Sequence, residues 1–219
     1  RRMSSQSTTL ADVVIVDYGL GNLRSARRGL ERAGAAVEVS ADPAAVGDAD
    51  GVVLPGVGAF SEGMENAGPC RDELAAAADA GVPILGICLG MQMLLTRSEE
   101  ADHAGEGEVE GLDLIPGVNR RFDPGVKVPH MGWNDLTVVR DHPGVAGVDG
   151  GYAYFVHSYC PDPDDDDAVV ATTDYGGRFP AVVADESGTV YGTQFHPEKS
   201  GETGLRILRN FVELCADRR

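Results

Sequence analysis

The sequence predicts an α/β fold in which a mostly parallel sheet is flanked by helices and extended by added antiparallel strands. Two observations point to this fold. In the first half of the chain, short runs rich in Val and Ile alternate with stretches whose apolar residues recur at helical spacing, which is typical of parallel strands joined by helices. In the second half, short strand-like runs follow one another between clusters of Gly, Pro and Asp, which favours antiparallel neighbours.

The first half supplies the parallel strands and their helices. The apolar run 13–16 predicts a strand that is buried on both faces. Apolar residues then recur at spacings of 3, 4 and 3 from Leu23 to Ala33, which predicts one helix that ends at Gly34. Further strands are predicted at 37–39, 52–54 and 82–87, and helices over 70–80 and 89–97.

The second half predicts short strands and one long helix. The strands are expected near 134–139, 152–156, 168–173, 180–184 and 189–195. The helix carries an apolar face from Leu205 to Cys215, so Cys215 is interpreted as a core residue. The acidic stretches Ser98–Glu110 and Asp162–Asp167 are predicted to be solvated loops.

Length and hydropathy indicate one globular domain away from membranes. A chain of 219 residues is the size of a single domain, and we expect a disordered N-terminal extension over residues 1–10 followed by that domain over residues 11–219. The longest uncharged stretch, 80–96, is interrupted by Pro83 and is shorter than the roughly 20 apolar residues that a membrane span needs. No signal peptide is visible. We therefore expect a cytoplasmic protein.

The charge excludes several classes of partner. With 18 basic and 35 acidic residues, the formal charge is 18 − 35 = −17, and a field this negative repels nucleic acids and anionic lipid surfaces. Lys127 and Lys199 are the only two lysines among the basic residues, and we expect this acidic composition to reflect a salty cytoplasm in which ions screen the self-repulsion. The four cysteines have neither disulfide-scaffold nor zinc spacing, so we expect reduced thiols and no metal.

Cys88 is the candidate nucleophile. It stands in Gly86-Ile87-Cys88-Leu89-Gly90, between a predicted strand and a predicted helix, and this is the pattern of a nucleophile elbow. The glycines allow the backbone to pack closely around a strained turn, and the positive end of the helix dipole favours the thiolate. The alternative is a small buried structural cysteine, which is how we interpret Cys70, Cys160 and Cys215.

His196 and Glu198 are the candidate base and its orienting acceptor. They lie two residues apart at the end of the strand predicted over 189–195. A thiol nucleophile needs a base, and the base needs an acceptor on its other ring nitrogen. Taken alone, the pair also fits an exposed loop with an incidental ion pair. Its significance therefore depends on Cys88.

Two glycine-rich loops follow predicted strands. The loop Pro55–Phe60 can present a backbone N–H, and we pair that of Val57 with that of Leu89 as the two donors of an oxyanion hole. On this motif alone, a tight turn fits equally well. The segment Asp17–Asn22 looks like the start of a dinucleotide-binding fingerprint, but Arg24 stands where its third glycine belongs.

Together these residues resemble the class I (triad) glutamine amidotransferases, and in detail the glutaminase subunits of imidazole glycerol phosphate synthase from histidine biosynthesis. The resemblance runs in order from residue 12 to about 215. It rests on six motifs, which are Val16–Leu23, Pro55–Phe60, Cys88–Gln92, Pro129–Asn134, Tyr154–Tyr159 and His196–Gly201.

The resemblance implies a flavodoxin-like class I amidotransferase fold without a metal or organic cofactor. It implies that Cys88, His196 and Glu198 form a triad that hydrolyses glutamine to glutamate through a thioester. The ammonia would pass to a (β/α)₈ cyclase subunit, the partner in a heterodimer, which makes imidazole glycerol phosphate and aminoimidazole carboxamide ribotide. The implied glutamine-binding residues are Gly58, Gln92, Ser158 and Tyr159. The implied residues at the partner interface are Asn22, Tyr154 and Lys199.

Other classes of protein fit parts of the pattern. An ordinary cysteine hydrolase would not explain the motifs at Asp17–Leu23 and Tyr154–Tyr159. A catalytically silent binding module would be expected to lack a triad residue, and a flavodoxin-like nucleotide-binding protein is disfavoured by Arg24. The glutaminase subunit of another class I amidotransferase is the remaining alternative.

Overall fold

The computed structural model describes residues 10–101, 105 and 107–218. The extension expected over residues 1–10 lies outside the described residues except for Leu10, which is exposed. The α-helices of the described residues are α1 (Leu23–Ala33), α2 (Ala44–Gly47), α3 (Phe60–Ala67), α4 (Arg71–Asp79), α5 (Leu89–Leu94) and α6 (Gly201–Asp217). None of these helices is both long enough and apolar enough to cross a bilayer.

The strands of the described residues alternate with the helices in the first half and dominate the second half. They are β1 (Asp12–Val16), β2 (Ala36–Ser40), β3 (Gly51–Leu54), β4 (Ile84–Ile87), β5 (Leu95–Ser98), β6 (Val109–Glu110), β7 (Ile115–Arg121), β8 (His130–Asp135), β9 (Thr137–Val138), β10 (Tyr152–His157), β11 (Tyr159–Pro163), β12 (Val169–Asp174), β13 (Arg178–Ala184) and β14 (Val190–Thr193).

The main sheet has eight strands in the order β2-β1-β3-β4-β14-β13-β12-β9. The first five are parallel to one another, and β13, β12 and β9 continue the sheet as antiparallel strands. The predicted fold class is therefore confirmed. Because β4 and β14 are parallel neighbours, the residues that follow Ile87 and Thr193 emerge at the same edge of the sheet.

Side chains of the main sheet alternate between two hydrophobic clusters, one on each face. Val13 and Ile15 of β1 pack into the cluster that includes residues of α1 and α6. Val14 and Val16 pack into the cluster that includes residues of α3, α4 and α5. This alternation follows from the period of two in a strand. Cys215 is fully buried in the first cluster, as its helical spacing predicts.

Two smaller sheets depart from the sequence-based expectations. One is the antiparallel pair β10–β8, and the other has the order β11-β7-β5-β6. The strand predicted near 134–139 is in fact divided between β8 and β9. The prediction of solvated loops was wrong at their ends, because Ser98 and Asp162 lie in β5 and β11. Of the acidic stretch 98–110, residues 102–104 and 106 lie outside the described residues.

The helix predicted over 89–97 ends at Leu94. Leu95 has an extended backbone, with φ −74° and ψ 168°, and starts β5. Leu95 pairs with Ile115 of β7, twenty residues further along the chain. This long-range pairing overrides the local helical pattern, which is why periodicity overestimated the helix.

The last helix packs against the segment that follows β14. A Cβ atom added at Gly204 of α6 would lie 1.8 Å from the carbonyl oxygen of Pro197. Only glycine permits this approach, so α6 fixes the position of the short 3₁₀ turn Pro197–Lys199.

We therefore expect Gly204→Ala to lower the free energy of unfolding by about 1–3 kcal/mol, the range observed for overpacking a tight contact. Urea-induced unfolding, followed by circular dichroism, measures it. Gly47→Ala in α2 is the matched control, because a Cβ atom there meets no heavy atom within 4 Å. Equal unfolding midpoints for the two variants would contradict the close packing at Gly204.

Candidate active site

Cys88 lies on a strained turn between β4 and α5. Its backbone adopts φ +54° and ψ −110°, a conformation that is costly for a residue with a side chain. The neighbouring glycines make the turn possible. A Cβ atom at Gly86 would lie 2.7 Å from the backbone of Met91, and one at Gly90 would lie 1.7 Å from the carbonyl oxygen of Leu54. The predicted strand–turn–helix geometry of a nucleophile elbow is present.

The Cys88 thiol lies in the wall of a cavity of about 450 Å³. The side chain is only 6% exposed. Its Sγ lies 3.8 Å from the carbonyl oxygen of Val156 and 3.8 Å from the side-chain amide nitrogen of Gln194. The remaining lining comes from α5, the loop before α3, strands β7, β10 and β11, and residues that adjoin strands of the two smaller sheets.

His196 and Glu198 form a buried pair next to Cys88. The distance from Nδ1 of His196 to Oε1 of Glu198 is 2.8 Å, and the two side chains are 2% and 3% exposed. Within the described residues, Nε2 of His196 is buried without a hydrogen-bond partner. Since the carboxylate occupies Nδ1, Nε2 is the nitrogen left for exchanging a proton with the thiol.

The electrostatics of His196 favour the imidazolium. Burial lowers the pKa of His196, but the interactions with Cys88 and then with Glu198 outweigh it and raise the pKa to about 9. A negative charge on either partner stabilises the protonated ring. At neutral pH His196 is therefore an imidazolium, and a protonated histidine beside a cysteine is the kind of environment in which cysteine nucleophiles react.

The other cysteines are unlike Cys88. Burial raises the pKa of Cys160 and of Cys215 to about 12, and it also raises that of Cys70. Their thiols therefore stay protonated at neutral pH and are poor nucleophiles. Within the described residues, no group of three or more His, Cys, Asp or Glu side chains is arranged to hold a metal ion.

The two N–H groups predicted to form an oxyanion hole do not converge in this structure. The N–H of Leu89 donates to the carbonyl oxygen of Gly56 at 3.3 Å. Because the Gly56–Val57 peptide is planar and trans, the N–H of Val57 points away from the Gly56 carbonyl and hence away from Leu89. The N–H of Leu89 is thus occupied by the Gly56 carbonyl, and the N–H of Val57 points away from it.

The four residues expected to bind glutamine all line the cavity, namely Gly58, Gln92, Ser158 and Tyr159. The three expected at a partner interface lie outside its lining. Asn22 caps α1, since its side-chain oxygen accepts the N–H of Ser25 at 3.4 Å. Lys199 places its Nζ 6.0 Å from the ring centroid of Tyr154, a cation–π geometry.

Two charged residues of the cavity were missed by sequence reasoning. Glu100 accepts the backbone N–H of Phe60 at 3.0 Å. Arg121 donates to the hydroxyl of Tyr159 at 3.4 Å and lies 5.7 Å from its ring centroid. Neither belongs to a recognisable motif, because Glu100 is one of many acids in its stretch and Arg121 ends a strand that was not predicted.

Comparison with known proteins agrees with this geometry. The family model "Glutamine amidotransferase class-I" matches residues 14–215. "Imidazole glycerol phosphate synthase subunit HisH" from Natronomonas pharaonis is 72% identical over 208 residues, which cover 95% of this chain and 97% of the relative. The chain belongs to the class I glutamine amidotransferases, in their HisH family.

Further HisH relatives and a solved structure extend the comparison. HisH from Halobacterium salinarum is 72% identical over 94% of this chain and 95% of its own length, and HisH from Methanosarcina acetivorans is 50% identical over 93% and 98%. Natronomonas and Halobacterium are halophilic, as the acidic composition predicts. The structure of PurLQS from Thermotoga maritima shares the fold, with a TM-score of 0.71 and 25% identity over 94% of this chain and 99% of that chain.

We expect the Cys88→Ala variant to lower the pKa of His196, because the alanine removes a side chain whose interaction with the ring raises that pKa in the wild type. NMR titration of ¹⁵N-labelled histidine measures the change. Cys70→Ala is the control, since this buried thiol packs in the cluster that contains α4. Identical His196 midpoints in wild type and Cys88→Ala would show that the two groups are not coupled.

Proposed function

We propose that this chain is the glutaminase subunit of an imidazole glycerol phosphate synthase, with Cys88, His196 and Glu198 as its catalytic triad. It hydrolyses glutamine to glutamate and supplies ammonia to a cyclase subunit in the cytoplasm. The observation that carries the proposal is the elbow cysteine beside a buried His–Glu pair. The HisH relatives, which match more than nine-tenths of the chain, support it.

The triad supports a two-step covalent mechanism. The Cys88 thiolate attacks the side-chain amide carbon of glutamine, and the carbonyl oxygen becomes an oxyanion. The His196 imidazolium then donates its proton to the leaving nitrogen, so that ammonia departs and a thioester remains. In the second step, neutral His196 takes a proton from water, which attacks the thioester and releases glutamate. Glu198 keeps Nδ1 of His196 protonated and oriented throughout.

The cavity provides opposite charges for the two ends of an amino acid. Arg121 is suited to the α-carboxylate of glutamine, because a guanidinium can bind a carboxylate through two hydrogen bonds. Glu100 is suited to the α-ammonium group. Both residues line the same cavity as Cys88. This pairing favours a free amino acid over a peptide, whose backbone lacks both charges at that position.

The oxyanion hole requires a change at one peptide. Rotation of the Gly56–Val57 peptide would remove the Gly56 carbonyl from the N–H of Leu89 and turn the N–H of Val57 toward the same point. Each backbone donor of this kind contributes about 3 kcal/mol to transition-state stabilisation. We therefore infer low basal activity in the free subunit and stimulation when a docked cyclase favours the rotated peptide.

The decisive experiment is labelling with a glutamine analogue that carries a diazoketone in place of the amide. We expect mass spectrometry to find the label on Cys88 of the wild type, because only this thiol faces the cavity. Cys88→Ala should lose both labelling and glutamine hydrolysis, and His196→Ala should lose more activity than Glu198→Gln, since Glu198 only orients the imidazole. Cys160→Ala is the control and should behave as wild type. Wild-type glutamate production by Cys88→Ala would refute the proposal.

The docking face for the cyclase is proposed on the ribbon formed by β8 and β10. The ribbon exposes three large apolar side chains, since Met131, Trp133 and Tyr152 are 62%, 57% and 61% exposed. Exposed aromatic and large apolar side chains of this kind are typical of protein interfaces. Trp133 packs edge-to-face against Tyr154, with ring centroids 6.1 Å apart. We propose that this surface, with Lys199 beside it, contacts a (β/α)₈ cyclase in a 1:1 heterodimer.

We expect Lys199→Ala to weaken binding of the cyclase about tenfold, because an interface desolvates the charge that a free surface would leave hydrated. Isothermal titration with the cyclase measures the affinity. Arg32→Ala is the control, because Arg32 lies in the last turn of α1, at the end of that helix away from Asn22. Labelling of Cys88 by the diazoketone should be unchanged in both variants. Equal cyclase affinity for Lys199→Ala and Arg32→Ala would remove Lys199 from the interface.

A further inference from the structure

Two buried histidines at and next to the cavity wall have no part in the chemistry described above. His157 of β10 lines the cavity, and His130 of β8 stands opposite it in the same ribbon. Both side chains are buried. Their rings are joined by a hydrogen bond of 2.9 Å between Nδ1 of His130 and Nε2 of His157.

The neighbours of this pair determine the position of every ring proton. Nδ1 of His157 lies 2.7 Å from the carbonyl oxygen of Tyr159, which can only accept, so this nitrogen carries the proton. Nε2 of His157 is then an acceptor, and Nδ1 of His130 must donate to it. Nε2 of His130 is left as an acceptor for the side-chain amide of Asn134, 3.5 Å away. For two neutral rings, these contacts leave one permitted tautomer each.

The hydrogen bonds of the histidine pair connect to the catalytic side of the cavity through the carbonyl oxygen of Tyr159. The carbonyl oxygen of Tyr159 also accepts from the side-chain amide nitrogen of Gln92 at 3.1 Å. The same nitrogen of Gln92 donates to the side-chain oxygen of Gln194 at 3.1 Å, and the amide of Gln194 contacts the sulfur of Cys88 at 3.8 Å. An ordered series of hydrogen bonds thus runs from Asn134 on the ribbon to the nucleophile.

We propose that His130 is a positioning residue that holds His157 in its Nδ1-protonated tautomer, and that this tautomer keeps the Tyr159 carbonyl and Gln92 in place for glutamine. The inference rests on the proposed function, because it assigns glutamine to this cavity. Without the donor at His130, the proton of His157 can move to Nε2. The lone pair of Nδ1 would then face the Tyr159 carbonyl, and a buried hydrogen bond would become a repulsion.

The surroundings of the pair oppose a protonated state. The His130 ring stacks on Tyr175 and Phe155, with centroids 4.1 Å and 4.8 Å away. Burial lowers the pKa of His130 to about 4 and that of His157 to about 3. A second proton on either ring would meet no acceptor within the hydrogen bonds described, so the pair acts as a fixed neutral unit and not as a base at neutral pH.

Two substitutions at His130 separate hydrogen bonding from packing. His130→Asn retains an N–H donor near the position of Nδ1 but removes the ring. His130→Phe retains a stacked ring but removes the donor. We expect His130→Phe to raise the half-saturating concentration of the diazoketone about tenfold while changing the maximal labelling rate of Cys88 less than twofold. His130→Asn should restore the half-saturating concentration to within about threefold of wild type.

The outcomes distinguish this inference from the proposed function. Wild-type protein that is not labelled at Cys88 would refute the proposed function. With wild-type labelling intact, a His130→Phe variant that saturates as wild type, or a His130→Asn variant as impaired as His130→Phe, would overturn the positioning role. NMR of ¹⁵N-labelled histidine in the wild type tests the proposed tautomer without any substitution, so the result does not depend on the folding of a variant. A proton on Nδ1 of His157 throughout pH 5–8 is expected, and a proton on Nε2 there would overturn the proposal.

Discussion

The close approach of the first turn of α5 to the ends of three strands is the constraint on which the site depends. A Cβ atom at Gly90 would collide with Leu54 at the end of β3, one at Gly86 with Met91, and one at Gly192 of β14 would lie 2.3 Å from Cγ of Met91. With α5 held this close, the chain can leave β4 only through a sharp turn, and Cys88 accepts a positive φ as a consequence. The same packing brings the N–H of Leu89 to the Gly56 carbonyl. One steric arrangement therefore determines both the strained turn at Cys88 and the hydrogen bond between Leu89 and Gly56.

The proposed triad shows why some parts of the site could be predicted from the sequence and others could not. The elbow and the His–x–Glu spacing are local, and parallel pairing of β4 with β14 brings them together once the fold class is correct. Glu100 and Arg121 reach the cavity through pairing among β5, β7 and β11, which joins residues 20 or more positions apart. No local pattern encodes such pairing, so β5, β7 and β11 were not predicted, and the two charged residues of the cavity were missed with them. The His130–His157 bond likewise exists only once β8 and β10 are paired.

Salt affects the charged surface and the buried site to different extents. Most of the charge of −17 lies on solvated side chains, where salt screens the repulsion. His196 and Glu198 are almost fully buried, so salt screens their interaction much less. A high-salt environment can therefore screen the repulsion at the surface while leaving the buried interaction of His196 with Glu198 largely unscreened.

The resting state of the oxyanion loop is held by little free energy. A backbone hydrogen bond such as that from Leu89 to Gly56 contributes about 0.5–1.5 kcal/mol net, which corresponds to a preference of roughly two- to tenfold. The peptide before it is anchored, because the Tyr18 hydroxyl donates to the Pro55 carbonyl, and Gly58 after it has φ +111°. Rotation can therefore be confined to the single Gly56–Val57 peptide. A partner needs to favour the rotated form by only about 1–2 kcal/mol to populate it, whereas the donor it supplies is worth about 3 kcal/mol in the transition state. On the proposed docking face, weak differential contacts would thus be sufficient to control the chemistry proposed at Cys88.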